Sequence, residues 1–115
     1  MSQEFNQEDD YQLNDFRKLS MNMGFWKQEL EDYLRNNLLQ DVVKNAIDTT
    51  LFIDVKTREP VGFSITITTG NPNIRLVYNR GVCQLHGSWD YTTDVEKIDS
   101  EICEKIYEMI LDDFL

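Results

Sequence analysis

Carboxylates recur at every fourth position near the end of the chain, and they form the clearest chemical pattern in it. Glu104, Glu108 and Asp112 are each four residues apart, and Glu101 lies three residues before Glu104. On an α-helix, four residues span about 6 Å along the axis. This spacing resembles that of successive phosphates on one nucleic-acid strand. The pattern predicts a phosphate-like row of charges, and the alternative is the solvated face of an amphipathic helix.

The other polar residues show no catalytic constellation. His86 is the only histidine, and no cysteine pair with metal-ligand spacing and no nucleophilic serine accompanies it. Residues 69–73 contain one glycine and no lysine, and they precede a predicted strand, so a hairpin turn explains them better than a phosphate-binding loop. The sequence therefore predicts a protein that is not an enzyme and that uses no cofactor and no metal.

Aromatic and acidic residues meet where the last predicted strand ends. Trp89 and Tyr91 flank Asp90, and Asp94 follows shortly afterwards. Residues of these types are common in protein interfaces, although Trp89 can equally belong to the core. With the carboxylates of the C-terminal segment they complete the predicted partner-binding residues, which are Glu101, Glu104, Glu108, Asp112, Asp90, Tyr91 and Asp94.

Net charge is the strongest compositional feature, at −10 for 115 residues. The acids are concentrated at the two ends: residues 1–10 contain four acids and no base, and residues 90–115 contain nine acids and two lysines. Such a chain repels nucleic acids and anionic membranes and is steered toward a basic surface. The composition predicts a basic protein partner, without direct binding to nucleic acid or membrane, or else an acidity that serves solubility alone. It leaves the oligomeric state open.

Length and composition indicate a single soluble domain. A chain of this size can bury a modest core without metals or disulfides. The N-terminus is polar and acidic, and no apolar run approaches the roughly 18 residues of a membrane span. These features predict a cytoplasmic protein. Cys83 and Cys103 both fall in apolar patterns and are predicted to be buried free thiols.

The middle of the chain predicts a β-sheet. Apolar and polar residues alternate in four runs separated by turn-forming residues, and the runs begin near Leu51, Phe63, Ile74 and Cys83. Short turns between such runs indicate an antiparallel meander with one apolar face over residues 51–89. The sequence leaves open whether the opposite face contacts solvent or a partner. That face is predicted to carry Ser64, Thr66, Arg75, Gln84 and His86.

Helices are predicted on both sides of the sheet segment. Residues 1–10 lack apolar periodicity and are predicted to be disordered, whereas residues 11–48 are predicted to be helical. A break is predicted at residues 20–24, and Asn36 with Asn37 marks a second weak point. Asp99 or Ser100 is the expected N-cap of a helix over residues 99–114. The predicted fold is α+β: an antiparallel four-stranded meander sheet with N-terminal helices and a C-terminal helix packed on one face.

Roughly the second half of the chain resembles small acidic uncharacterised proteins of phages and mobile elements. The resemblance lies in ITITTGNPNIRL, in GVCQLHGSW and in the acidic helix that begins IDSEICEKI. Those proteins resemble one another in a strand ending Thr-Gly-Gly-Pro, a hairpin, a Gly-x-Trp and a C-terminal helix rich in Asp and Glu. Here Asn71 departs from the second glycine. The resemblance implies an inhibitor of the anti-CRISPR type and assigns no functional residue.

Together these features predict a non-catalytic acidic binding protein. In its most concrete form it is an anti-CRISPR-like inhibitor that occludes a basic nucleic-acid-binding surface of a target, such as a CRISPR effector. The alternative is a structural or assembly subunit that associates through its sheet edge or its aromatic patch.

Overall fold

The computed structural model describes residues 7–114, with side chains from Leu13 onward. Of residues 1–10, predicted to be disordered, the first six lie outside the described part, and the backbone of residues 7–10 is helical. No described helix has both the length and the apolar composition needed to cross a membrane. The elements are α1 (Gln7–Arg35), α2 (Leu39–Lys44), β1 (Asp48–Ile53), β2 (Pro60–Thr68), β3 (Asn73–Asn79), β4 (Val82–Trp89), β5 (Thr92–Lys97) and α3 (Ser100–Phe114).

The strands form one antiparallel sheet in the order β1-β2-β3-β4-β5, so neighbours in the sequence are neighbours in space. Paired residues across the strands share a face, which places Leu51, Phe63, Tyr78 and Cys83 together in one cross-strand row. The α+β class and the meander are confirmed, and the sheet has five strands where four were predicted.

The missed strand is β5, which was predicted to be part of a loop. Asp90 has a left-handed backbone, with φ of 52°, in the tight turn that connects β4 to β5. Asp94 and Glu96 pair with Gly87 and Leu85 and therefore belong to the same face as the core residue Leu85. Because acids occupy positions where apolar residues normally alternate, the strand has no hydrophobic signature.

Helices cover one face of the sheet and enclose the core. Gly87 shows how closely α1 approaches, because a Cβ atom there would lie 2.5 Å from Met23 Sδ and 2.9 Å from Leu19 Cδ1. Any larger residue at position 87 would force these two side chains to shift. The best-buried core residues, none more than 1% exposed, are Leu19, Met23, Leu30, Phe63, Ile65, Ile74, Leu76, Leu85, Ile102, Cys103, Ile106 and Ile110.

Helix α1 is continuous, so the predicted break at residues 20–24 is wrong. Gly24 costs a helix about 1 kcal/mol, and burial of Met23 just before it and of Leu30 after it is large enough to offset that cost. The second predicted weak point is confirmed. The helix ends at Arg35, and Asn37 adopts a left-handed conformation with φ of 57° before α2 begins.

Cys83 on β4 and Cys103 on α3 form a disulfide bond, so the prediction of free thiols is wrong. Their predicted burial is confirmed, at 6% and 0% exposure. The two Cα atoms are 5.9 Å apart, within the range of ordinary disulfides. The bond connects the C-terminal helix covalently to β4, an inner strand of the sheet.

An ion pair joins the two turns at one end of the sheet. Arg80 Nη2 donates to Asp54 Oδ2 at 2.7 Å, and the backbone N–H groups of Lys56 and Thr57 donate to Asp54 Oδ1 at 2.8 and 3.0 Å. The bond from Arg80, followed by those from the backbone, lowers the pKa of Asp54 to about 2. Val55, predicted to continue β1, lies in this turn and is 84% exposed.

Candidate functional site

Helix α3 positions most of the predicted partner-binding residues. Asp99 Oδ1 accepts a hydrogen bond from the Glu101 N–H at 3.0 Å, which identifies Asp99 as the predicted N-cap. Ile102, Ile106 and Ile110 recur at intervals of four residues and are buried against the sheet and the other helices. Apolar packing therefore sets the orientation of α3, and this orientation determines which residues face outward.

Tyr107 adds a second anchor beside this apolar stripe. Its ring lies 6.1 Å from the Phe63 ring and 5.3 Å from the Tyr78 ring, measured between centroids. Burial raises the pKa of the Tyr107 hydroxyl, with a smaller contribution from Tyr78. The ring cluster and the Cys83–Cys103 bond hold α3 at two positions along its length.

The outer face of α3 presents the acidic row, by which we mean Glu104, Glu108 and Asp112. All three side chains are exposed, and none takes part in an ion pair or a side-chain hydrogen bond within the described residues. Glu101 differs, since Glu101 Oε1 lies 3.7 Å from Lys105 Nζ in an exposed ion pair. The row therefore offers three unpaired carboxylates at steps of about 6 Å.

Two carboxylates lie in the last turn of α3, where they oppose the helix dipole. The last turn contains Asp112 and Asp113 and no basic residue. The C-terminal end of a helix carries partial negative charge, so acids there are unfavourable. Within the row, Glu104 and Glu108 also stand four residues apart, where like charges repel. The charge pattern of α3 is thus worse for helix stability than a neutral or basic pattern would be.

Asp112→Lys is expected to raise the free energy of unfolding by about 0.3–1 kcal/mol more than Glu104→Lys does, because only position 112 lies in the last turn. Both substitutions change net charge equally, so general charge relief cancels in the comparison. Urea unfolding midpoints of the two variants at low salt measure the difference, because urea is uncharged and does not screen the helix dipole. Equal midpoints would mean that the acid in the last turn does not lower the free energy of unfolding through the helix dipole.

The other predicted binding residues lie elsewhere. Asp90 and Tyr91 form the hairpin tip between β4 and β5, and Tyr91 is fully exposed. Asp94 lies on β5, where its carboxylate accepts the Val95 N–H at 2.9 Å. Since α3 begins only after β5 ends, the tip and the start of α3 are separated by the length of that strand, roughly 20 Å. The structure does not bring the two groups together.

The hairpin tip is tied to its neighbouring turn. Asn71 Nδ2 donates to Asp90 Oδ1 at 2.8 Å, and the Asp90 N–H donates to Asn71 Oδ1 at 2.9 Å. Residues 69–72 connect the antiparallel strands β2 and β3, and Asn73 begins β3, in agreement with the predicted hairpin turn at residues 69–73. Trp89 is half-buried against the core, with Lys18 Nζ 5.4 Å from its ring centroid, whereas Tyr91 points away from the core.

The sheet face opposite the helices is polar, and some of its side chains cover others. Ser64 and Thr66 are only 2% and 6% exposed, although no described helix lies over them. Arg75 donates to Ser64 Oγ from Nη2 at 2.6 Å and from Nε at 3.2 Å, and Thr66 Oγ1 donates to Asp48 Oδ1 at 2.8 Å. The alternation of the sequence predicted the residues of this face, but the Arg75–Ser64 and Thr66–Asp48 hydrogen bonds depend on how the strands pair and were not predicted.

His86 lies on this face, one strand in from the edge, as its strand position predicted. Its Nε2 atom donates to Gln84 Oε1 at 3.0 Å, since that oxygen only accepts. Burial, and then the nearby Arg75 charge, lowers the pKa of His86, so the ring is neutral at neutral pH. Among the described residues no three His, Cys, Asp or Glu side chains are grouped to hold one metal ion.

Comparison of the chain with models of protein families, with curated proteins and with solved structures gives no match.

Proposed function

We propose that this protein is a non-catalytic acidic binding protein that docks the acidic row of α3 onto a basic, nucleic-acid-binding surface of another protein and occludes it. The observation that supports this most is the exposure of Glu104, Glu108 and Asp112 without intramolecular partners. Three carboxylates at helical spacing match lysine and arginine side chains that otherwise hold a phosphate backbone.

Rigidity of the row supports the proposal. Burial of Ile102, Ile106 and Ile110 holds α3 in place before any partner arrives. A partner therefore does not have to order the helix, and the entropic cost of binding falls mainly on the three side chains. Preorganised charge of one sign also steers a basic partner into contact.

The unfavourable arrangement of charges in α3 also supports a function in binding. Repulsion within the row and the unfavourable last turn both lower the stability of the free protein. Lysine or arginine side chains of a partner would relieve both effects on binding. A function in binding explains why a helix with well-packed apolar residues has this arrangement of carboxylates.

The resemblance to phage and mobile-element proteins makes an anti-CRISPR inhibitor the most concrete form of the proposal, acting in the host cytoplasm on a CRISPR effector. Glutathione keeps most cytosolic thiols reduced. In that compartment the acidic row must therefore work with Cys83 and Cys103 reduced. Apolar burial of α3 on its isoleucines is compatible with this requirement.

The experiment that tests the proposal is affinity capture from a bacterial lysate at low salt and again at about 0.5 M salt, where the screening length shortens to a few ångströms. We expect a nucleic-acid-binding protein that is captured at low salt and lost at high salt. A partner retained at high salt would contradict electrostatic docking and would assign binding to the uncharged surfaces.

A further inference from the structure

The two edge strands of the sheet differ in how readily each could pair with a strand of another chain. β1 and β5 are the outer strands, and each pairs with one neighbour among the described residues. An edge strand has a row of unpaired backbone N–H and C=O groups that can pair with another chain. Natural proteins protect such edges with charged residues, prolines, bulges or covering elements.

β5 has charges and a covering helix, whereas β1 has one charged residue, Asp48, and a register shift against β2 between Phe52 and Ile53. β5 contains Asp94, Glu96 and Lys97 within six residues, and α1 packs against it. In β1 the five residues after Asp48 read TTLFI, without charge, proline or glycine. Threonine, isoleucine and phenylalanine are among the best strand formers, so this edge favours further pairing.

Exposed apolar side chains continue along the same edge. Ile53 is 53% exposed and Val55 is 84% exposed, and Ile47, just before the strand, is 56% exposed. Single exposed apolar residues are ordinary. Ile53 in β1, together with Ile47 before the strand and Val55 after it, is consistent with an edge that another strand covers.

We propose that β1 pairs antiparallel with β1 of a second copy of this chain, which joins the two sheets into one of ten strands. A two-fold axis perpendicular to the sheet relates the copies, so the helical layers of both lie on the same side. This interface is formed by β1 and not by α3, and it places two acidic rows on the same side of the joined sheet.

The charges at the ends of β1 favour a second copy as the occupant. Asp48 begins the strand, and the turn after it contains the exposed residues Lys56, Arg58 and Glu59 as well as Asp54, which pairs with Arg80. In an antiparallel pair the start of each strand lies beside the end of the other. Each Asp48 then lies toward the turn of the other copy, where two bases and one acid remain outside the Asp54–Arg80 pair, while the uncharged centres face each other.

The dimer should be weak and strengthened by salt. A single edge of six residues buries less than the roughly 1,600 Å² of a standard interface, so dissociation in the micromolar range is expected. Each copy carries a net charge of −10, and screening of their repulsion favours association. This salt dependence is opposite in sign to that expected for the acidic row, which distinguishes failure of one proposal from failure of the other.

Thr50→Lys and Thr93→Lys form a matched test. Both threonines are exposed, both lie on the polar face of an edge strand, and each pairs with a serine, Ser64 or Ser88. In sedimentation equilibrium at about 0.5 M salt we expect wild type and Thr93→Lys to dimerise. We expect Thr50→Lys to raise the dissociation constant roughly fivefold, since like charges then meet across the two-fold axis.

Amide hydrogen exchange of the wild-type protein at low and high concentration gives a second readout that needs no variant. Protection of β1 amides should rise with concentration, while protection of β5 amides should not. A wild type that stays monomeric at every micromolar concentration would overturn the proposal. So would a dimer that Thr93→Lys disrupts and Thr50→Lys does not, or one that protects β5.

Discussion

Replacement of Glu104, Glu108 and Asp112 together by lysine is expected to abolish low-salt capture of a basic partner and to leave the fold intact. The three side chains are exposed and make no described ion pair, so no intramolecular contact is lost. At the interface, each attraction becomes a repulsion between like charges, which costs several kcal/mol. The affinity should fall more than about a hundredfold, and quantitative capture from lysate measures this.

The matched control is the variant with Asp15→Lys, Glu31→Lys and Glu59→Lys. It changes net charge by the same amount but places the change on α1 and in the turn before β2. We expect this variant to retain most of its binding. Equal loss in both triple variants would show that total charge is recognised and not the row on α3. Unchanged binding by the α3 variant would contradict the proposed site.

Loss of the Cys83–Cys103 bond is expected to lower the free energy of unfolding by about 3 kcal/mol, the value for closing a loop of this size. The two cysteines are 20 residues apart in the sequence. For a chain of this length the corresponding fall in Tm is roughly 10 °C. Guanidinium unfolding of wild type with and without a reductant measures the effect.

The double variant Cys83→Ala with Cys103→Ala is the control for this measurement, because a reductant should leave its unfolding midpoint unchanged. At low salt, reduced wild type should still bind a basic partner, since the isoleucines of α3 remain buried. An unchanged wild-type midpoint in reductant would contradict a stabilising disulfide. Loss of binding on reduction would mean that the bond, rather than apolar packing, holds the row in place.

The sheet was predictable wherever its two faces differ in polarity. Phe63 and Ile65 are buried while Ser64 and Thr66 face the opposite side, and that alternation is visible in the sequence. β5 was missed because Asp94 and Glu96 share a face with the core at the edge of the sheet, where acids reach solvent. Periodicity predicts strands that are buried on one face and fails at a charged edge.

Long-range pairing was the other part that the sequence did not reveal. The disulfide forms because α3 crosses β4 at Cys83, and the sequence does not show where that crossing lies. The only indication in the sequence was that both cysteines were expected on buried faces. The continuity of α1 through Gly24 likewise depends on its packing against the sheet. Local propensity predicts a break there, and tertiary contacts override it.

The candidate site was predictable on α3 and not beyond it. Helical periodicity alone predicted that the acids at positions 104, 108 and 112 share the outer face, and the structure confirms their exposure. The grouping of these acids with Asp90 and Tyr91 was a prediction from composition. The two groups are separated by β5, and this separation could not be predicted because the sequence of β5 does not have the alternation of a strand.

Competition with DNA tests occlusion most directly. The captured partner would be purified and bound to a short DNA duplex at low salt, and this protein would then be added in increasing amounts. We expect wild type and the Asp15, Glu31 and Glu59 variant to displace the DNA, and the α3 triple variant to leave it bound. A stable complex that contains the partner, the DNA and this protein together would contradict occlusion of a nucleic-acid-binding surface.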